Sequence, residues 1–266
     1  MWTPLALCVA LAVSADKADQ LALTHVRTTH GMLGVPRLED KVLPGDNFAL
    51  AFDIEGITVN DDGKFLYSIG LQVTDAAEKI FLKQEPRPYE ASNALGGNRV
   101  PAFANVDVGV DQPPGEYTLS VTVTDRSAMA SKTLTRRFEV LDRAFGLVRL
   151  TTTGDPEGRV PLPVVAPGQT LWLNFFAVGT AQEDASHKCK LAVEIEILDA
   201  EKKPVRATPI TGVVEQQLPE KLAVMPVRFM LPVNREGKFI VEIKATDQVS
   251  KKTAVLKFPI TVVSAP

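Results

Sequence analysis

One twelve-residue pattern occurs twice and constrains the fold more than any other feature. The first copy is Pro114-Gly115-Glu116-Tyr117-Thr118-Leu119-Ser120-Val121-Thr122-Val123-Thr124-Asp125. The second is Glu236-Gly237-Lys238-Phe239-Ile240-Val241-Glu242-Ile243-Lys244-Ala245-Thr246-Asp247. Each opens on a glycine turn, places an aromatic ring two residues later, alternates apolar with polar residues and stops at an aspartate. Alternation with a period of two marks a half-buried β-strand, because successive side chains point to opposite faces. Tyr117, Leu119, Val121 and Val123 share one face, and Phe239, Val241, Ile243 and Ala245 share its counterpart.

The repetition extends through most of the chain. Thr28-Thr29-His30-Gly31 is echoed by Thr151-Thr152-Thr153-Gly154, and Leu43-Pro44-Gly45-Asp46 by Ala166-Pro167-Gly168-Gln169. A strand is predicted after each Pro-Gly turn, with Phe48, Leu50, Phe52 and Ile54 inward in one and Leu171, Leu173, Phe175 and Ala177 in the other. Longer alternations follow, through Phe65, Tyr67, Ile69, Leu71 and Val73 and through Cys189, Leu191, Val193, Ile195 and Ile197. The offset between copies stays at 122 to 124 residues, as duplication of a whole domain leaves it. About seven short strands per copy, separated by Gly, Pro, Asn and Asp turns and with no amphipathic helix, predict an all-β chain. The expected arrangement is two tandem antiparallel β-sandwich domains, residues 16–141 and 145–263, after an N-terminal signal peptide. In the last strand Pro259 cannot donate to a ladder and predicts a sheet edge or a bulge. The prolines and glycines from Gln84 to Asn98 predict an irregular loop.

Residues 5–13 form an apolar run, and Val13-Ser14-Ala15 is a small-residue cleavage site. Together they predict a secretory signal cut after Ala15, although Met1-Trp2-Thr3-Pro4 lacks the usual basic residue. Secretion or a periplasmic location follows. Beyond the signal no stretch has the ~20 apolar residues of a membrane span. The mature chain keeps one cysteine, Cys189, so it has no internal disulfide and core burial must supply its stability. The net charge is −3 and the Lys and Arg residues are not clustered, which argues against nucleic acid as a partner.

The Pro114-Gly115-Glu116-Tyr117 stretch with Leu119, Val121 and Val123 resembles the sixth strand of immunoglobulin-like sandwiches. It is also similar to Pro-Gly-x-Tyr strands of bacterial Ig-like, fibronectin-type and macroglobulin-like domains. Antibody-type domains carry a cysteine two residues after the tyrosine. Leu119 and Val241 stand there instead, in keeping with the absent disulfide. The resemblance implies that Tyr117 forms a tyrosine corner, and it implies adhesion, spacing or partner binding.

No residue set announces catalysis. His25 and His30 are five apart in a strand, hence on opposite faces, and His187 lies in the other copy. Cys189 is expected inside as a small hydrophobe. No serine sits in a nucleophile elbow and no glycine-rich phosphate loop is present. No cofactor is expected. Asn60-Asp61-Asp62-Gly63, echoed by Gln182-Glu183-Asp184-Ala185, reads as a turn, with calcium as the alternative. Trp172 and Phe176 share the outward face of their strand, where the first copy has Ala49 and Asp53, small and charged residues that suit a solvent face. Either they pack under a loop or against the first domain, or they form a patch for a partner or a sugar. The function expected is a non-catalytic binding or structural module with an unknown envelope or extracellular protein partner. Two alternatives stand beside it. One is an inhibitor of secreted proteases presenting Arg87 and Tyr89 on a proline-stiffened loop; the other is a carbohydrate-binding or carbohydrate-active protein.

Overall fold

The computed structural model describes residues 21–183, 186–218 and 224–264. The expected signal peptide, with its cleavage site after Ala15, and the loop residues Asp184 and Ala185 lie outside them. The described residues form fifteen β-strands and no helix.

In the first half these are β1 (Ala22–Thr29), β2 (Lys41–Val42), β3 (Asn47–Glu55), β4 (Lys64–Asp75), β5 (Ile80–Ser92), β6 (Val100–Asp107), β7 (Gly115–Asp125) and β8 (Ala130–Val140). One sheet has the order β1-β3-β6 and the facing sheet β2-β8-β7-β4-β5. The second half contains β9 (Gly146–Thr153), β10 (Thr170–Val178), β11 (Lys188–Leu198), β12 (Ile210–Gln217), β13 (Val224–Pro232), β14 (Gly237–Asp247) and β15 (Thr253–Val262). Its sheets have the orders β9-β10-β13 and β15-β14-β11-β12. The counterpart of β2 is a single parallel bridge from Val165 to Val262, matching the parallel pair Val42–Val140. Both halves thus repeat one topology, with sandwich-like packing of two sheets and the crossed connections of Ig-like folds.

Each half encloses one buried apolar cluster. Phe48, Phe52, Leu119 and Val121 lie in the first, and Leu173, Phe175, Val241 and Ile243 in the second. Inward residues of β7 and β14 alternate with half-buried or exposed ones as the sequence predicts. β7 and β14 both begin at glycines with positive φ, +144° at Gly115 and +137° at Gly237, where a side chain would be strained. The Tyr117 hydroxyl donates to the Pro113 carbonyl at 3.0 Å, so the tyrosine corner is formed. Pro259 lies on β15, which has one full-length neighbour, β14.

Two expectations are corrected. Gln84 to Tyr89 is not an irregular loop but the middle of β5. β5 is an edge strand paired with β4 alone, so its prolines remove N–H groups without breaking an internal ladder. Gly70 of β4 makes room for them, since a Cβ there would lie 3.0 Å from Pro86 Cγ. The outward face of β3 is also not a solvent face: Ala49 and Asp53 are buried. β3 is flanked on both sides, and Arg99 and His25 fold over Asp53, with Arg99 Nε donating at 3.0 Å and His25 Nδ1 3.2 Å away.

Candidate binding surfaces

The polar residues that end the repeated stretch have a defined task. Asp125 accepts from the backbone N–H groups of Thr58 (2.7 Å), Ser127 (2.8 Å) and Ala128 (3.0 Å). Asp247 accepts from the N–H groups of Ala181 (2.8 Å) and Val249 (2.9 Å) and from the Ser250 hydroxyl (2.6 Å). Each carboxylate caps its own hairpin and ties it to the connection that leaves the opposite sheet. Burial works against ionisation at both. The hydrogen bonds from Ala128 and Thr58 at Asp125, and from Ala181 and Ser250 at Asp247, outweigh it and lower both pKa values.

The halves interlock through residues the repeat does not share. Val35, in the loop after β1, is buried in the apolar cluster of the second half. His30, five residues earlier in the same loop, presents its ring edge-on to Phe258 at 6.3 Å. Its pKa is well below the usual histidine value, through burial first and the nearby Arg37 second. Asp46 is the polar centre of the joint. It pairs with Arg37 at 2.9 Å, and both side chains are buried. Its Oδ1 also accepts from the Arg149 backbone N–H at 2.7 Å across the joint. Arg149 itself donates from Nε to the Gly45 carbonyl and lies 3.1 Å from Asp107. Arg143, in the connection between halves, donates to the Val110 carbonyl and to Asp111, both at 2.5 Å. Gly146 fits under Leu43, where a Cβ would lie 2.0 Å from Leu43 Cδ1.

Trp172 and Phe176 are both half-buried and share the outer face of β10. They do not form one patch. Between them Asn174 donates to Thr153 Oγ1 and accepts from Arg228, 3.0 Å each, so a polar bridge from β9 to β13 separates the rings. Phe176 turns toward the joint and lines a cavity with Gly45, Val110, Arg149 and Val224. Trp172 lies farther from the joint, opposite Thr153 and the exposed Met230. Arg87 and Tyr89 are on the other half, exposed on β5. Tyr89 stacks on Tyr67 at 5.2 Å. Arg87 pairs with Ile69 inside a ladder rather than standing on a projecting loop, so the presentation expected of an inhibitor is not formed.

The remaining sequence candidates are spread out. Asn60 Oδ1 accepts from the N–H groups of Asp62 and Lys64, and Gly63 holds φ at +74°, which is a closed turn. Cys189 is a buried free thiol. Among the described residues no three His, Cys, Asp or Glu side chains are grouped to hold a metal ion. No helix among them is long and apolar enough to cross a membrane.

No family model and no curated protein matches the chain. Solved structures with some similarity include the C-terminal domain of the antigen I/II-family protein AspA of Streptococcus pyogenes. Identity there is 9%, over 91% of this chain and 99% of that one, with a TM-score of 0.30. The C-terminal domain of the AgI/II polypeptide BspA of Streptococcus agalactiae gives 8%, 90%, 100% and 0.31 in the same order. Dimeric latent PorU of Porphyromonas gingivalis gives 12% identity and a TM-score of 0.38, over 97% of this chain but 21% of that one. The strand orders of the two halves are by themselves those of Ig-like sandwiches.

Proposed function

We propose that this chain is a non-catalytic, secreted or periplasmic module of two tandem Ig-like domains, residues 16–141 and 145–263, that binds a protein partner and holds it at a fixed spacing. The joint carries this reading. Val35 is sunk in the second half's cluster and Asp46 accepts from the Arg149 backbone, so two ordinary sandwiches act as one body. Interfaces between domains are often small and polar, and they then allow motion. Here a buried apolar anchor and a hydrogen bond from the Arg149 backbone to the buried Asp46 carboxylate oppose it. A spacer needs that rigidity; a domain that merely follows another in sequence does not.

The test is affinity capture from envelope extract with three baits: the parent, Trp172→Ala, and Val35→Ser/Arg149→Ala. Trp172 is the cleaner surface probe because Phe176 also belongs to the joint. A partner held by the parent and weakened by loosening the joint supports the reading; loss with Trp172→Ala would add the location of the contact. Catalytic turnover that persists through repurification, or a captured partner indifferent to both variants, contradicts it.

A further inference from the structure

The two halves offer an internal control, because the same place in each can be compared. In the first half, the end of the sandwich where β6, β7 and β8 meet is closed, with a residual void of about 10 Å³. Phe48 stacks on Phe138 at 4.4 Å, Tyr117 on Phe138 at 5.7 Å, and Phe81 meets Tyr117 edge-on at 6.1 Å. Gln112 and Pro113 hold the Tyr117 hydroxyl and plug the opening.

The second half replaces most of this plug with smaller groups. Strand registers align Leu171 with Phe48, Ile260 with Phe138 and Phe239 with Tyr117. The Phe81 position, on the following hairpin, is taken by Val205 and Arg206. The connection that carries Gln112 and Pro113, residues 108–114, shrinks to residues 233–236. What results is a cavity of about 500 Å³ that opens to solvent. That lies within the range of small-ligand sites, which are mostly apolar with a few placed polar groups. Its walls include Ile197, Ile210, Leu231 and Ile260, and its rim carries the exposed Arg206 and Arg235. Arg235 stands over the Phe239 ring, its guanidinium carbon 5.1 Å from the centroid. Among the described residues neither arginine makes an ion pair.

We infer that this cavity binds a single-chain anionic amphiphile, the apolar tail between the sheets and the head group at Arg206 and Arg235. An apolar chamber with two unpaired guanidinium groups at its mouth complements such a molecule in both shape and charge. A peptide fits less well. Its buried amides need hydrogen-bond partners, and apart from the two arginines only Asn234 contributes a polar side chain. This site is independent of the Trp172 surface and of the joint.

The experiment titrates the protein with decanoate, decanol and decyltrimethylammonium below their micelle thresholds, by calorimetry and by methyl NMR of the isoleucines. Decanoate is expected to bind saturably at one site, shifting Ile197 and Ile260, and to bind roughly tenfold or more tightly than decanol. The cation is expected to bind weakest. Arg206→Gln/Arg235→Gln is expected to bring decanoate to the decanol level, and Ile260→Phe, which restores the first half's ring, to abolish binding. Val205→Phe at the rim is the second blocking variant should Ile260→Phe fail to fold. Absence of saturable decanoate binding, equal binding of the cation, or unchanged binding in a folded cavity-filling variant overturns the inference.

Discussion

Asp125 and Asp247 look interchangeable with any polar residue that ends a strand, yet each holds three donors. Replacing either with Ala leaves part-buried N–H groups without their carboxylate, and hydrogen bonds to charged groups contribute about 1.5–3 kcal/mol. Asp125→Ala and Asp247→Ala are each expected to lower the unfolding free energy by that order in urea titrations. The same residues set the acid response. Their pKa values are lower folded than unfolded, so the folded state binds fewer protons. Their contribution is complete above an unfolded aspartate pKa of about 3.9 and is lost as pH falls through the folded value. His30 acts earlier, because a histidine held neutral by burial costs stability once the unfolded chain protonates, below about pH 6.5. Stability is therefore expected to fall in two stages on acidification. His30→Leu should remove the first stage and leave the second, and a single decline unchanged in that variant would contradict the assignment.

At the scale of elements, strands whose neighbours are alike on each face were legible from alternation alone. β7, β14 and β11 follow it, β4 departs from it where Ser68 and Gly70 are buried and Tyr67 and Ile69 only partly so, the tyrosine corner sits where Tyr117 predicts, and Pro259 marks an edge. β5 was hidden because its prolines signal irregularity unless the strand is known to lie at an edge. β3 was misread on its outer face because the groups covering Asp53 come from β1 and from Arg99 ahead of β6, and strand alternation does not reveal what lies over it. The cavity of the second half was equally hidden. It arises from ring-to-aliphatic changes at separate positions that each look conservative. The β5 prolines also have a protective role, since a long exposed edge offers unpaired N–H groups to another chain. Pro86→Thr/Pro88→Thr is expected to fold and to self-associate faster than the parent on concentration, as followed by light scattering. Equal association would assign the prolines no protective part.

The whole molecule depends on contacts that repetition cannot encode. Duplication gives two like sandwiches; the joint needs the halves to differ. Asp46 has Gln169 as its counterpart, which accepts from the Ala166 N–H within its own loop at 2.8 Å instead of reaching another half. Val35 leaves its own core for its neighbour's. These choices lie far apart in sequence, which is why spacing and composition were silent about them and why Phe176 could be read as surface. On the proposed reading they hold two tandem domains as one rigid unit, and that is the central claim. The most direct measurement is the distance distribution between spin labels at Ser92→Cys and Lys202→Cys, both exposed and on different halves, in the parent and in Val35→Ser/Arg149→Ala. A single narrow distribution in the parent that broadens in the variant is the predicted result. A broad distribution in the parent would mean that the halves move independently, and the rigid-spacer account would fail.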